Sequence, residues 1–280
     1  MPVAYLPERC LIRLSGPDAE HFLHNLVTTD ITALPPGEAW PGALLTPQGK
    51  ILFDFLVWRE DDRFVLETDI SQREALVRRL TMYKLRSATE ILPGETDGVT
   101  VSWGKDAGAD GVADTRFARA GIDLRRIPGR RSEAADGDYD AARIAAGVAV
   151  SDRDYALQDA FPHDVLMDLN AGLSFRKGCY VGQEVVSRMQ HRGTARRRLV
   201  QVNADSPLPQ SGTSITVAGK PVGALGTVAG SGGLAIVRID RVGAALAAGQ
   251  TIVAGDIPVD LTLPAWSGLS FPTDEEEAGS

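Results

Sequence analysis

Apolar and polar residues alternate through Cys10-Leu-Ile-Arg-Leu14, the period-two pattern of a half-buried strand. Ser15-Gly-Pro-Asp18 follows as a helix start with Pro17 in the first turn, and Ala19, Phe22, Leu23, Leu26 and Val27 recur at helical spacing. The stretch GALLTPQGKILFDFLVW, residues 42–58, holds two β-like runs around Thr46-Pro-Gln-Gly-Lys50, and Pro47 and Gly49 predict a hairpin turn between them. A third strand is expected at 64–67 after the polar turn Asp61-Asp-Arg63. Ser71 is suited to cap a helix running to about 85, with Arg73, Arg78, Arg79 and Lys84 on a basic face. Two further strands, 90–92 and 99–103, complete an α+β segment, and 105–137 reads as irregular connections around short strands. A helix over about 138–147 leads to RKGCYVGQE, residues 176–184, with Ser174-Phe175 expected to end a strand and 182–188 expected to be helical.

After Arg196 the pattern changes. LVQV, SITV, KPVGALGTV, LAIVRI and TIVAGDIPVDLTL are short β-like runs separated by Gly, Pro, Asn and Ser, which predicts a small all-β barrel or sandwich. PTDEEEAGS at the end is acidic, and 266–280 is expected to be a disordered tail. The pattern therefore divides the chain into 1–195, two subdomains with 38–104 as an inserted α+β part, then a barrel at 196–265 and the tail.

Composition narrows the class without fixing the chemistry. A chain of 280 residues with 44% hydrophobic and 24% charged residues is an ordinary globular protein, large enough for more than one domain. No apolar run approaches the roughly 20 residues of a membrane span, so no membrane partner is expected. MPVAYLPERC lacks a charged start followed by a long apolar run, which predicts no secretory signal. Two cysteines, Cys10 and Cys179, give neither a disulfide framework nor CxxC metal spacing, and point to a reducing, cytoplasmic compartment. The net charge of −8 argues against direct nucleic-acid binding. That average hides a basic segment: from Arg176 to Arg198, seven basic residues face the single acid Glu184, a local balance of +6. Such a segment is either a solvated basic face or a site for an anionic ligand.

Cys179 stands in that segment. Just ahead of a helix N-terminus, with Lys177 and Arg176 beside it, its thiolate is favoured over its thiol, and Gly178 and Gly182 permit a tight, exposed backbone around the sulfur. A glycine-rich turn whose cysteine merely packs is the competing reading. One cysteine cannot hold a metal site needing about four ligands, and His163, Asp164 and His191 match no metal signature. No resident metal is expected; a cluster at Cys179 requires ligands from a partner or a small thiol.

KGCYVGQE followed by Arg188, His191-Arg-Gly193 and Arg196-Arg-Arg-Leu199 resembles the signature of the YgfZ family, folate-binding relatives of the glycine-cleavage T protein. Leu26-Val27-Thr-Thr-Asp30, Leu45-Thr-Pro-Gln-Gly-Lys50 with Phe53-Asp54, and Leu173-Ser-Phe175 extend the resemblance over most of residues 5–265. The resemblance implies an α+β fold of three parts around a central hole, like the aminomethyltransferase T protein, with a C-terminal all-β barrel. It implies tetrahydrofolate as cofactor and a role in assembling or repairing iron–sulfur clusters, including those of enzymes that methylthiolate tRNA. The implied partners are folate, iron–sulfur assembly proteins and client iron–sulfur enzymes. Cys179, Lys177 and Asp54 take the implied reactive roles; Asp54, Phe175, Tyr180, Gln183, Glu184, Arg188 and Arg196 take the implied folate-binding ones. Cys179 is further implied as a ligand to a transient cluster shared with a partner.

Two positions depart from the family pattern. Phe53 stands where the T protein has one of two adjacent acids, and Ala145 stands where relatives have an acid before Ala-Gly. Phe53 argues against aminomethyl transfer, and the missing carboxylate at Ala145 weakens both tight pterin recognition and aminomethyl transfer. A folate-dependent one-carbon transferase or demethylase is the alternative, kept open by Asp54, and a redox or structural module without folate is the third reading.

Overall fold

The computed structural model describes residues 2–104, 110–131 and 138–272. By internal contacts the chain divides into two units, Met1–Tyr139 with Met167–Ser187, and Asp140–Leu166 with Arg188–Ser280.

The first unit is built on strands β1 (Val3–Ser15), β2 (Glu38–Leu45), β3 (Ile51–Glu60), β4 (Arg63–Asp69), β5 (Glu90–Trp103), β6 (Val112–Asp114) and β7 (Leu124–Pro128). Helices α1 (Ala19–His24), α2 (Arg73–Lys84) and α3 (Thr115–Ala118) interrupt them. The strands close a barrel in the order β1-β4-β3-β2-β6-β7-β5, with β1 paired to both β4 and β5. The predicted hairpin is β2–β3, and period-two alternation shows in its packing: Phe53, Phe55 and Val57 join Phe64 and Leu66 of β4 and Ile12 and Leu14 of β1 in one apolar core. Leu23, Leu76 and Leu80 of α1 and α2 pack on the same core.

The opposite face of β4 carries a charge. Glu67 is fully buried and accepts from Arg126 Nε at 2.7 Å and from Arg9 Nε at 2.9 Å, while Arg126 also reaches Asp114 at 3.3 Å. Strands β4 and β7 are not neighbours in the barrel order, so this network crosses the barrel interior. Arg126 and Arg9 hold the Glu67 carboxyl down to about 2 against the upward pull of its burial.

Several local expectations change. Helix α1 ends at His24, because Thr28 already pairs its amide with Ala43 of β2 at 2.9 Å; Leu26 and Val27 stay in the core without being helical. Ser71 does not cap α2: its hydroxyl donates to Asp69 at 2.6 Å, and Gln72 occupies the cap position. The two short strands expected at 90–92 and 99–103 are one strand, β5, paired along β1 with shifts of register. Gly94 permits this, since a Cβ there would come within 2.7 Å of the Leu11 Cβ. Part of the 105–137 stretch, namely 105–109 and 132–137, lies outside the described residues.

The second unit carries helix α4 (Tyr139–Ala146), the 3-10 turn Pro162–Val165, the end of helix α5 (Gln183–His191) and helix α6 (Ile239–Ala247). Its strands are β8 (Arg197–Asn203), β9 (Ser214–Val217), β10 (Lys220–Ala229), β11 (Gly232–Arg238), β12 (Ile252–Ala254), β13 (Ile257–Pro258) and β14 (Asp260–Thr262). They form one antiparallel seven-stranded sheet in the order β13-β12-β9-β10-β11-β8-β14. Arg143, buried in α4, ties this sheet to the segment before it, donating to Asp154 at 2.8 Å, to the Val148 carbonyl at 3.0 Å and to Thr227 of β10 at 2.6 Å. Of the expected tail, 273–280 lies outside the described residues, whereas Trp266 donates to the Ala146 carbonyl at 2.9 Å and Phe271 packs on the unit's core.

Candidate functional site

Cys179 is exposed, on a loop of turns that joins neither sheet; the strand expected at Ser174-Phe175 does not form. Its backbone is held from the side of residues 27–29 instead. Ser174 donates its amide to the Thr28 carbonyl at 2.9 Å, and Thr28 Oγ1 donates to the Gly172 carbonyl at 2.6 Å while accepting from the Ala43 amide. Ser174 Oγ in turn accepts the amides of Arg176 and Lys177, a side-chain turn that bends the chain toward the cysteine.

Lys177 does not stand beside the thiol as a solvated cation. Its Nζ turns inward and donates to the main-chain carbonyls of Val27 at 2.6 Å and Thr29 at 2.8 Å. Burial lowers its pKa to about 8, with the Asp30 carboxylate opposing the shift. The Tyr180 ring lies 5.2 Å from the same ammonium, and the Tyr180 hydroxyl donates to the Ser174 carbonyl at 3.1 Å. Burial pushes the Tyr180 phenol upward, so it stays a neutral donor. Lys177 and Tyr180 therefore clamp the loop from beneath, and Cys179 between them points to solvent.

The loop's exit is fixed by close backbone approach. Gly182 has φ +79°, and a Cβ there would lie 2.5 Å from the Thr46 carbonyl oxygen at the β2–β3 turn and 3.2 Å from Gly49 Cα. Helix α5 starts directly afterwards at Gln183, as the pattern predicts. Beneath the clamp, burial lowers the His24 pKa, and Lys177 adds to the effect. Asp30, 3.4 Å from His24 Nδ1, has its carboxyl pulled upward by burial but held below the usual range by bonds from Thr32 and Ala33.

The predicted residues divide between the two units. Phe175, Lys177, Cys179, Tyr180, Gln183 and Glu184 form one continuous stretch, with Phe175 and Gln183 half-buried and Glu184 exposed. Asp54 lies on β3 in the same unit, its carboxylate accepting from the buried Gln72 amide at 2.9 Å while its own amide donates back to Gln72. Phe53, one position earlier, faces the core. Arg188 and Arg196 are exposed and belong to the second unit. The basic segment is less open than its +6 balance suggests: Arg198 is buried on the His163 carbonyl, Arg197 pairs with Asp159 and Asp164, and Lys177 faces inward. Sequence reasoning missed Thr28, Thr29, Ser174 and Gln72; the Thr-Thr-Asp run directly after an apolar face was the available signal for the first two. Among the described residues, no group of three or more His, Cys, Asp or Glu side chains is arranged to hold a metal.

Residues 196–269 match the family model described as the CAF17 C-terminal beta-barrel domain. The iron–sulfur cluster assembly factor IBA57 homologue of Phaeosphaeria nodorum, named as mitochondrial, is 30% identical over 85% of this chain and 70% of the relative. The human iron–sulfur cluster assembly factor IBA57, also named as mitochondrial, is 31% identical over 85% of this chain and 77% of the relative. The chain belongs to the IBA57 family of iron–sulfur cluster assembly factors. The resemblance read from the cysteine motif thus holds in its broader form, with relatives named IBA57 rather than YgfZ. The expected cytoplasmic location is corrected by the same names, which place these IBA57 relatives in mitochondria. The crystal structure of the glycine cleavage system aminomethyltransferase T from Bartonella henselae matches with a TM-score of 0.71 at 17% identity, covering 94% of this chain and 85% of that one. This IBA57-family chain therefore has the α+β aminomethyltransferase fold with a C-terminal β-barrel domain.

Proposed function

We propose that the chain supports assembly or repair of iron–sulfur clusters by presenting Cys179 as a thiolate ligand, shared with a partner protein, to a cluster in transit. The cluster is cargo. The observation that carries this reading is the exposed Cys179 on a loop clamped by Lys177 and Tyr180, a rigid mount for a single soft ligand. A single thiol satisfies about one of the four ligands a cluster needs, so the remainder come from iron–sulfur assembly proteins or client enzymes, among them enzymes that methylthiolate tRNA.

Tetrahydrofolate belongs to the same proposal. A pterin needs a carboxylate to accept its N–H edge, and Asp54 fits: half-buried, with its orientation held by Gln72. Phe175 and Gln183 are half-buried near the cysteine in sequence and suit stacking and hydrogen bonding. Lys177 and Tyr180 do not fit a direct folate role, because their polar atoms serve the chain's own carbonyls. Arg188 and Arg196 are exposed cations suited to a glutamate tail. Bound folate supplies a one-carbon carrier. The retained Asp54 also favours aminomethyl transfer as a second reading, which the placement of Phe53 in the core weakens by removing the second acid.

The test expresses Cys179→Ala and Asp54→Asn separately in cells lacking the native protein. It measures activity of a [4Fe–4S] enzyme in extracts and tetrahydrofolate binding by each purified variant. Loss of enzyme activity with folate binding kept is expected for Cys179→Ala, and weakened folate binding for Asp54→Asn. A stable Cys179→Ala protein that restores full activity sinks the cysteine's role.

A further inference from the structure

The large apolar side chains that stay exposed gather in one place. Among the described residues there are five, and three of them, Met82 (59%), Leu85 (87%) and Leu92 (49%), stand at the end of α2 and the start of β5. Arg78, Met82 and Leu85 follow at spacings of four and three, so they share the solvent side of α2, opposite the core residues Leu76 and Leu80. Lys84 and Leu92 line one shallow depression of about 570 Å³, which joins the two elements into a single surface of the first unit.

Leu85 is held there at a cost. The Ser87 amide donates to the Lys84 carbonyl at 2.8 Å, which makes Leu85 the second residue of a tight turn, with φ 45° and ψ −105°. That is a glycine's conformation; a bulky side chain at positive φ is strained, and one left 87% exposed gains little by packing within its own chain. The surroundings are basic. Residues 73–90 hold five basic residues against Glu74 and Glu90, a balance of +3 in a chain of net charge −8. Arg78, Lys84 and Arg86 form no ion pair among the described residues, in contrast to Arg9, Arg126 and Arg197.

We propose that this surface docks on an anionic lipid bilayer, with Met82, Leu85 and Leu92 entering the headgroup boundary and Arg78, Lys84 and Arg86 set against lipid phosphates. An apolar tip standing this far out suits a surface that deforms to take it, and the free cations select negative charge for a chain that is acidic elsewhere. The chain lies on the bilayer in this arrangement; no helix among the described residues is long and apolar enough to cross one. The sequence expectation of no membrane partner rested on span length, which surface docking does not need. The inference is independent of the roles given to Cys179 and Asp54.

Co-sedimentation of the full-length protein with vesicles tests it, using phosphatidylcholine alone and phosphatidylcholine with about a third phosphatidylglycerol. Binding to the anionic vesicles is expected to exceed binding to the neutral ones at least about tenfold. Leu85→Gly should weaken it at least about fivefold while the urea midpoint stays level or rises, because glycine fits φ 45°. The double variant Arg78→Glu, Arg86→Glu, at two exposed positions, should bring binding down to the neutral-vesicle level. Cys179→Ala should bind as the wild type does. A wild type that neither kind of vesicle sediments overturns the proposal, and so does a Leu85→Gly protein that binds as tightly as the wild type. A urea midpoint lowered in Leu85→Gly overturns it as well, since Leu85 would then be packing for the fold. A lipid-free dimer in light scattering that Leu85→Gly splits makes the occupant a second copy, and the proposal falls.

Discussion

Gly182 and Thr46 meet with no room for a side chain between them: a Cβ on Gly182 would sit 2.5 Å from the Thr46 carbonyl oxygen. The contact joins the exit of the cysteine loop to the tip of the β2–β3 hairpin, and neither backbone can retreat without shifting its own element. Gly182→Ala adds this overlap to the cost of φ +79° for a residue with a Cβ, about 1–2 kcal/mol from conformation alone. The variant should unfold at lower denaturant by more than that amount, whereas Gly178→Ala, with nothing within 4 Å of its added Cβ, should be near neutral. Urea titrations of the two variants compare them directly.

Lys177 is expected to couple stability to alkaline pH. Its folded pKa of about 8 lies below the ordinary lysine value of 10.5, so above pH 8 the unfolded state holds more protons than the folded one. The stability of the wild type relative to Lys177→Met should be flat below about pH 7 and rise as pH climbs from about 8 toward 10.5. At neutral pH the Met variant leaves the Val27 and Thr29 carbonyls without this donor, a loss of about 1–3 kcal/mol. Denaturation midpoints measured between pH 7 and 9.5 show the slope or its absence.

Glu67 acts at the other end of the scale. Its folded pKa of about 2 lies below the ordinary glutamate value of 4.5, so its contribution is fully present above pH 4.5 and is lost as pH falls through 2. Glu67→Gln removes the charge that Arg126 and Arg9 share inside the barrel, and breaking a buried pair from one side costs about 3–5 kcal/mol. The variant should be destabilised at neutral pH and should lose much of the wild-type acid dependence, as thermal melts at pH 7, 4 and 3 would show.

The two cysteines should separate cleanly. Cys179 is exposed and Cys10 is buried on β1 with no accessible surface. Brief alkylation of the native protein should modify Cys179 alone, and denaturant should be needed to modify both, with mass spectrometry counting the labels. Labelling of Cys10 at a matching rate would mean that β1 leaves the barrel readily.

What the sequence showed of this fold was its short-range part. The β2–β3 hairpin was legible because turn residues at 47 and 49 separate two β-like runs, β4 because the polar turn Asp61-Asp-Arg63 precedes it, and α2 because Arg73, Arg78, Arg79 and Lys84 mark a basic face. Helix α6 was not: IDRVGAALA is made of small residues around Gly243 and follows β11 without a break signal, so it read as part of a β-rich region. The orientation of Lys177 was hidden for a different reason. A lysine beside a cysteine suggests a charge offered to the sulfur, while the carbonyls that claim it lie 150 and 148 residues earlier. The barrel network of Glu67, Arg126 and Asp114 was equally silent, since each residue alone looks like an ordinary charged position on a short strand. Cys179 itself was legible because glycine spacing and exposure go together in its motif.

Closure of the barrel at β1 has a consequence for how the polypeptide is made. β1 leaves the ribosome before either of its partners, one of its edges waiting for residues 63–69 and the other for residues 90–103. Until then it is a nascent ribbon with unpaired amides and carbonyls, the condition in which strands pair with the wrong chain. Synthesis at about 5–20 residues per second leaves that interval open for several seconds. A ribosome stalled near residue 80 would therefore display an adhesive strand, and the demand on co-translational chaperones should be concentrated while residues 3–103 are being made.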